Sequence, residues 1–248
     1  MNKMFVNYDC APLKSFSIHK IFALDKKEFI KANFSQFFPR KNKSRLLEIG
    51  PGEGDLLRLW QELGYKKIEA IDISQTICKN LSKQHLPCLL VSESEKFLEK
   101  HKNQYDLIAA LDVIEHLPYT RLENFVKTIF EALKPGGCFI LSVPNSQSPD
   151  ALAIISMDVT HQTIIFSEAS LTQLLKSIGF TKIKVFGLKI PPSASQNPLI
   201  KTLLFICQNL VAPFYFNLVK LRRLATSGFY SRILHRGLGA AAYKEDNP

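Results

Sequence analysis

The chain has 248 residues, 46% of them hydrophobic and 22% charged, ordinary proportions that exclude wholesale disorder and are enough for a packed interior. Its length fits one large domain, or a core with an appendage. The net charge of +10 is unevenly spread, with +6 on residues 1–44, −4 on residues 45–180 and +8 on residues 181–248, so the basic ends rather than the acidic middle are expected to meet an anionic surface.

Residues 1–44 contain helix-compatible stretches such as KKEFIKANFSQFF and are expected to form an N-terminal helical cap. No apolar leader precedes them, and Cys10, Cys78, Cys88, Cys138 and Cys207 lack C-x-x-C spacing. The cysteines therefore read as reduced, buried thiols, and the expected compartment is the cytoplasm.

From Arg45 onward, short apolar runs alternate with helical patterns. RLLEIG, KIEAIDI, CLLV, DLIAAL, CFILSV and KIKVFG read as strands, and DLLRLWQELG, SQTICKNLSKQ, ENFVKTIFEALK and SEASLTQLLKSIG read as helices. The last of these starts at Ser167, lines one face with Leu171, Leu174, Leu175 and Ile178, and stops at Gly179. This alternation predicts an α/β fold, a doubly wound Rossmann-like sheet of about seven mostly parallel strands, whose ligand lies at the carboxyl ends of the strands. The core is expected over residues 45–190. PPSASQNP at 191–198 reads as a plain linker opening a hydrophobic and basic helical insertion over 191–236, and residues 237–248 supply the last strand and a tail.

Within the insertion, LIKTLLFICQNLVAPFYFNLVKLRR places Lys201-Thr202 and Gln208-Asn209 seven residues apart, a narrow polar stripe on a wide apolar helix that Pro213 is expected to interrupt. A spanning helix needs ~20 mostly apolar residues, and the lysine, three amides and proline here argue against one. Two readings stay level: an amphipathic element docking on an anionic membrane surface, helped by Arg232 and Arg236, or a hydrophobic subdomain closing a pocket or forming a dimer face.

The chemistry gathers around LLEIGPGEGDLL, residues 46–57. Gly50, Gly52 and Gly54 permit a tight turn and strip side chains from the end of a buried strand, as a ligand passing close to the backbone would require. A purely structural turn would look the same. Asp72 sharpens the reading, because it ends the second strand 18 residues beyond Gly54, where a carboxylate can accept both hydroxyls of a ribose. Carboxylates at Glu53 and Asp55 would repel a phosphate but not a cationic sulfonium.

In this order, LLEIGPGEG, IDIS, YDLIAALDVIEHL and LKPGGCFILSVPN resemble four motifs of the class I S-adenosylmethionine-dependent methyltransferases, over about residues 45–187. The segment DVTHQTIIFSEASLTQLLKSIGF resembles the small-molecule and glycan-modifying branch. The resemblance implies S-adenosyl-L-methionine as cofactor. It further implies that Glu48, Gly50, Gly52 and Gly54 frame the methionine end, that Asp72 takes the ribose hydroxyls and that Ile73 packs on adenine. Glu93 and Ser94 would reach the adenine amine, although Glu93 also reads as an acid starting a helix. Asp112 and Val113 would lie near the reactive methyl.

A sulfonium methyl is already activated, so what the protein must add is alignment and a base for an acceptor hydroxyl. His161 and His116 follow the fifth and fourth strands and are the candidate bases, with Asn145 and Asp158 as candidate acceptor contacts. Metal-ligand spacing is absent from the sequence. The expected activity is O-methylation of a sugar, lipid-linked or secondary-metabolite acceptor. A nucleic-acid methyltransferase is disfavoured, because the fourth strand ends in ALDVIEHL rather than a D/N-P-P-Y turn. A non-catalytic scaffold is disfavoured by the intact glycines and Asp72.

Overall fold

Side chains alternate across a strand, and β1 (Arg45–Ile49) shows what that does when both faces are covered. Leu46 enters one apolar core and Leu47 the other, so an unbroken hydrophobic run is buried on both sides. The same alternation holds in β4 (Tyr105–Leu111), where Leu107 and Ile108 diverge, and in β5 (Leu133–Pro144), where Cys138 and Phe139 do. The computed structural model describes residues 25–40, 43–149, 166–227 and 233–245.

With β2 (Lys67–Asp72), β3 (Leu89–Leu90), β6 (Thr181–Gly187) and β7 (Gly237–Tyr243), these strands form one seven-stranded sheet in the order β3-β2-β1-β4-β5-β7-β6. All neighbours are parallel except β7, which runs antiparallel between β5 and β6. The expected doubly wound α/β sheet is therefore present. The chain moves outward from β1 to β3 and then returns to place β4 on the other side of β1. The carboxyl ends of β1 and β4 thus form the switch point where open α/β sheets hold ligands.

One face is covered by α1 (Lys26–Phe34), α2 (Asp55–Glu62) and α3 (Gln75–Lys83), which contribute Phe34, Leu56, Leu57, Trp60 and Leu81 to the core. The other carries α4 (Ser94–Leu98), α5 (Tyr119–Ala132) and α6 (Glu168–Ile178), with Phe125, Ile129, Leu171 and Leu175 buried. Local signals set several boundaries. Asp25 caps α1, and Ser74 caps α3. Ser167 and Ser170 form a reciprocal capping box on α6, which ends at left-handed Gly179.

Two expectations about the insertion change. The segment read as a plain linker is docked: Ala194 and Ser195 are fully buried, and Asp25 donates its N–H to the Ala194 carbonyl at 2.6 Å. Asn33 fastens the same stretch, donating to Lys189 O at 2.8 Å and accepting from Lys189 N at 3.1 Å. Pro213 does not break the helix. A π-helical turn over Cys207–Val211 joins α7 (Pro198–Ile206) to α8 (Ala212–Ser227) directly before it. The wider turn relieves the clash between a proline ring and the carbonyl four residues back. The four described cysteines are free thiols, Cys78 and Cys138 buried, with the Cys78 and Cys88 sulfurs 2.7 Å apart in a hydrogen bond. Cys10 lies outside the described residues.

Candidate active site

Glu48 sits one residue before the end of β1, paired with Ala70 on β2 and Ala109 on β4. Small neighbours on both sides leave its carboxylate no polar companion in the sheet. Only 3% of the residue is exposed, and its Oε2 is buried without a hydrogen-bond partner. Burial pushes the carboxyl well above its usual range, and the nearby charges of Asp55 and Asp72 push it the same way, against a smaller opposing effect of Arg58. A buried, unpartnered acid beside two others is costly for a protein alone and favourable beneath a cation.

The turn that follows puts Gly50, Gly52 and Gly54 all at positive φ, yet the three are needed for different reasons. A Cβ on Gly50 would stand 2.8 Å from Val113 Cγ2, so this glycine brings the turn against the segment after β4. A Cβ on Gly54 would meet Leu81 and Leu86 at 2.7 and 2.8 Å, so this one seats α2 on its neighbours. At Gly52 nothing lies within 4 Å, and it alone of the three faces open space. Charges clamp the turn from outside: Arg58 donates to the Glu53 carbonyl at 2.8 Å and to Asp55 at 3.2 Å, and Lys26 of α1 pairs with Glu53 at 3.3 Å. The acids inside the turn are thereby partly neutralised, while among the described residues Glu48 and Asp72 behind it have no ion-pair partner.

Asp72 ends β2 with 7% exposure. Its Oδ1 accepts the Ser74 N–H at 2.7 Å. Burial raises its carboxyl to about 6, partly offset by the backbone hydrogen bonds from Ser74 and Ile73. Next to it Ile73 is 42% exposed, an apolar side chain left open at the strand end. Asp112 closes β4 in a left-handed conformation, φ 54°, held by the Ser142 hydroxyl donating to its carboxylate at 2.8 Å.

The structure therefore brings together Glu48, Gly50, Gly52, Gly54, Asp72, Ile73, Asp112 and Val113 at the carboxyl ends of three adjacent strands. Glu93 and Ser94 begin α4 beyond β3; Glu93 pairs with Lys96 at 3.0 Å and Ser94 is buried. His116 is half-buried in the 3-10 turn Ile114–His116 that follows β4. His161 and Asp158 lie outside the described residues. Among the described residues there is no cluster of metal-binding side chains.

Asn145, a candidate acceptor contact, has its side chain engaged within the fold. It is 1% exposed, donates its amide to Ile233 O and His235 O at 3.0 and 2.8 Å, and accepts Gln147 N at 3.0 Å. With both amide hydrogens and the oxygen engaged, it braces the approach to β7. His235 carries no motif in the sequence, yet its Nδ1 is buried without a hydrogen-bond partner against Gly187. Burial lowers its pKa below the usual histidine value, and the charges of Lys189 and Lys220 lower it further.

A sheet of this order with a side-chain-free turn after β1 and an acid ending β2 defines the class I, Rossmann-like methyltransferase architecture. The chain belongs to the family described as methyltransferase domain, whose model matches residues 22–185. Solved structures agree on the fold. A SAM-dependent methyltransferase from Archaeoglobus fulgidus is 20% identical, with 93% of this chain and 99% of that one covered at a TM-score of 0.65. A possible histamine N-methyltransferase from Thermotoga maritima is 16% identical, with coverage of 98% and 99% and a TM-score of 0.64. Phosphoethanolamine N-methyltransferase 2 from Haemonchus contortus, in complex with S-adenosyl-L-methionine, is 20% identical at a TM-score of 0.64, with 98% of this chain and 60% of that one covered. No curated protein sequence matches the chain.

Proposed function

We propose that the protein transfers a methyl group from S-adenosylmethionine to a hydroxyl of a sugar, lipid-linked or small secondary-metabolite acceptor. The observation that carries the cofactor is the pair of buried acids, Glu48 and Asp72, behind the open position at Gly52. Such an arrangement suits a cationic nucleoside better than a phosphate. Asp72 has an oxygen beyond the one held by Ser74 with which to accept ribose hydroxyls, Ile73 offers adenine an apolar surface, and Glu48 stands where the methionine end would pass. The Haemonchus contortus structures in complex with S-adenosylmethionine and with S-adenosylhomocysteine support the assignment.

The bound cofactor supplies an electrophilic methyl, so the protein's own residues have only to orient, exclude water and hold one proton. Val113 packed on Gly50, and Asp112 fixed by Ser142, shape the wall where the acceptor would approach. The acceptor oxygen forms the new bond to carbon, the electron pair of the broken carbon–sulfur bond stays on sulfur, and the hydroxyl proton passes to a base. His116 and His161 are the proposed bases. Neighbours of this fold include enzymes named for N-methylation and for carbon methylation, so the hydroxyl is what the test must address. Extracts incubated with protein and methyl-labelled S-adenosylmethionine, then resolved by mass spectrometry, should yield a labelled methyl ether. A labelled amine or carbon-bound methyl as the main product would replace this acceptor class.

A further inference from the structure

Residues Pro198–Ala225 form a helix of 28 residues containing an 18-residue window of mean hydropathy 1.5, long and apolar enough to cross a membrane by length and composition. None of it is buried. One side leans on the body of the protein. Leu204, Cys207, Gln208, Ala212, Phe216 and Arg223 are partly covered, Gln208 donates to Ile190 O, the Phe216 ring packs edge-on to His235 at 5.5 Å, and Arg223 donates to Gln147 O at 3.0 Å. The opposite side presents Leu199, Leu203, Leu210, Phe214, Leu218 and Leu221 to solvent, with Leu199 at 80% and Phe214 at 69% exposure. At 1.5 Å per residue, that apolar ridge from Leu199 to Leu221 is about 33 Å long, well beyond the scattered exposed leucines of an ordinary surface.

The fold excludes a crossing. The helix lies between β6 and β7, which pair antiparallel in one sheet with Gly187 opposite Leu238. A helix that spanned would leave those two strands on opposite sides of the bilayer. Only nine residues separate Ser227 from Gly237, and extended backbone cannot return through hydrocarbon with its polar groups unsatisfied. The contacts at Ile190 and Gln147 also hold the middle and the far end of the helix along the protein surface.

A second copy is a poor occupant. Between Thr181 and Lys244 there is no Asp or Glu, and the stretch 198–236 carries Lys201, Lys220, Arg222, Arg223, Arg232 and Arg236. Helices paired across a two-fold axis, in either direction, would set positive charge against positive charge with no acid to answer it. An anionic leaflet answers both features, taking the apolar ridge into its acyl boundary and the basic residues into its headgroups. We propose that this helix is an in-plane docking surface for an anionic membrane leaflet. Gln147 follows the carboxyl end of β5, so docking brings the edge of the sheet that holds the Gly50–Gly54 turn toward the lipid. The proposal does not depend on which atom is methylated.

The test is sedimentation of the full-length protein with vesicles of phosphatidylglycerol and phosphatidylcholine, and with phosphatidylcholine alone, at low and high salt. The double variant Leu210→Asp, Phe214→Asp runs beside it, its melting temperature and its calorimetric affinity for S-adenosylmethionine serving as controls for folding. The expected result is binding to anionic vesicles that weakens with salt and falls about tenfold or more in the variant, with cofactor affinity and melting temperature retained. Failure of the wild type to sediment with anionic vesicles overturns the proposal. So does a concentration-dependent dimer that the same substitutions dissolve without vesicle binding, or membrane association that resists alkaline carbonate extraction. Because cofactor binding is read separately, loss of the docking proposal and loss of the methyltransferase reading give different patterns.

Discussion

Asp72 and Glu48 stand near the carboxyl ends of adjacent parallel strands, and the charge on Asp72 helps to hold the Glu48 carboxyl well above its usual range. Neither acid has an ion-pair partner among the described residues, although Lys26 and Arg58 neutralise the acids of the neighbouring turn. The protein keeps two buried acids with raised pKa values behind the open position at Gly52, and that has measurable consequences.

Cofactor affinity should depend on pH through Asp72. Its carboxyl lies at about 6 in the free protein, and ribose hydroxyls donate to the ionised form. Affinity should therefore rise by about tenfold per pH unit below 6 and level off above about 7. Calorimetric titrations from pH 5 to 8 check this; a flat profile would remove Asp72 from the ribose.

The same raised carboxyl acts on folding with the opposite sign. A folded-state value above the unfolded one means that the native state binds the proton more tightly. The resulting stability is complete below about pH 4 and is lost as pH rises toward 6. Asp72→Asn should accordingly raise the stability of the cofactor-free protein at pH 7, on the order of 2 kcal/mol, while weakening cofactor binding. Denaturant unfolding of both proteins at pH 4 and pH 7 tests the sign; a gain as large at pH 4 as at pH 7 would refute it.

The glycines separate packing from ligand binding. Gly54→Ala should cost about 2–3 kcal/mol of stability, because the added carbon meets Leu81 and Leu86 at 2.7 and 2.8 Å in a left-handed backbone. Gly52→Ala should cost about 1 kcal/mol, for its conformation alone, yet lower cofactor affinity more than its stability loss explains. Melting curves paired with cofactor titrations distinguish the two.

Asn145→Ala should destabilise the fold by about 2–3 kcal/mol, leaving two carbonyls and one N–H without their buried partner. Cofactor affinity at a temperature where the variant is folded should be unchanged. A large loss of affinity at intact stability would return Asn145 to the binding site.

What the sequence made legible was what local pattern governs. Runs such as RLLEIG and CFILSV announce strands because both faces of the sheet are covered, and Ser167 with Gly179 brackets a helix through its own caps. The glycine turn and Asp72 fell at the switch point because strand order follows from the alternation of elements. Illegible features depended on distant partners. Asn145 reads as a polar residue near a strand end until Ile233 and His235, about ninety positions away, take its amide. The docked stretch at 189–195 depends on Asn33, 156 positions earlier. The π turn that carries the helix past Pro213 has no sequence signature of its own, and His235 gains its setting from Gly187 and Phe216 rather than from any motif around it.

The most direct test of the central claim is isothermal titration calorimetry of S-adenosylmethionine into the wild type and into Asp72→Ala at pH 7.5. The wild type should bind, and the variant should bind about ten- to a hundredfold more weakly, about 1.4–2.8 kcal/mol for lost charge-assisted hydrogen bonds. No binding heat from a well-folded wild type, or equal affinity in the two proteins, would contradict it.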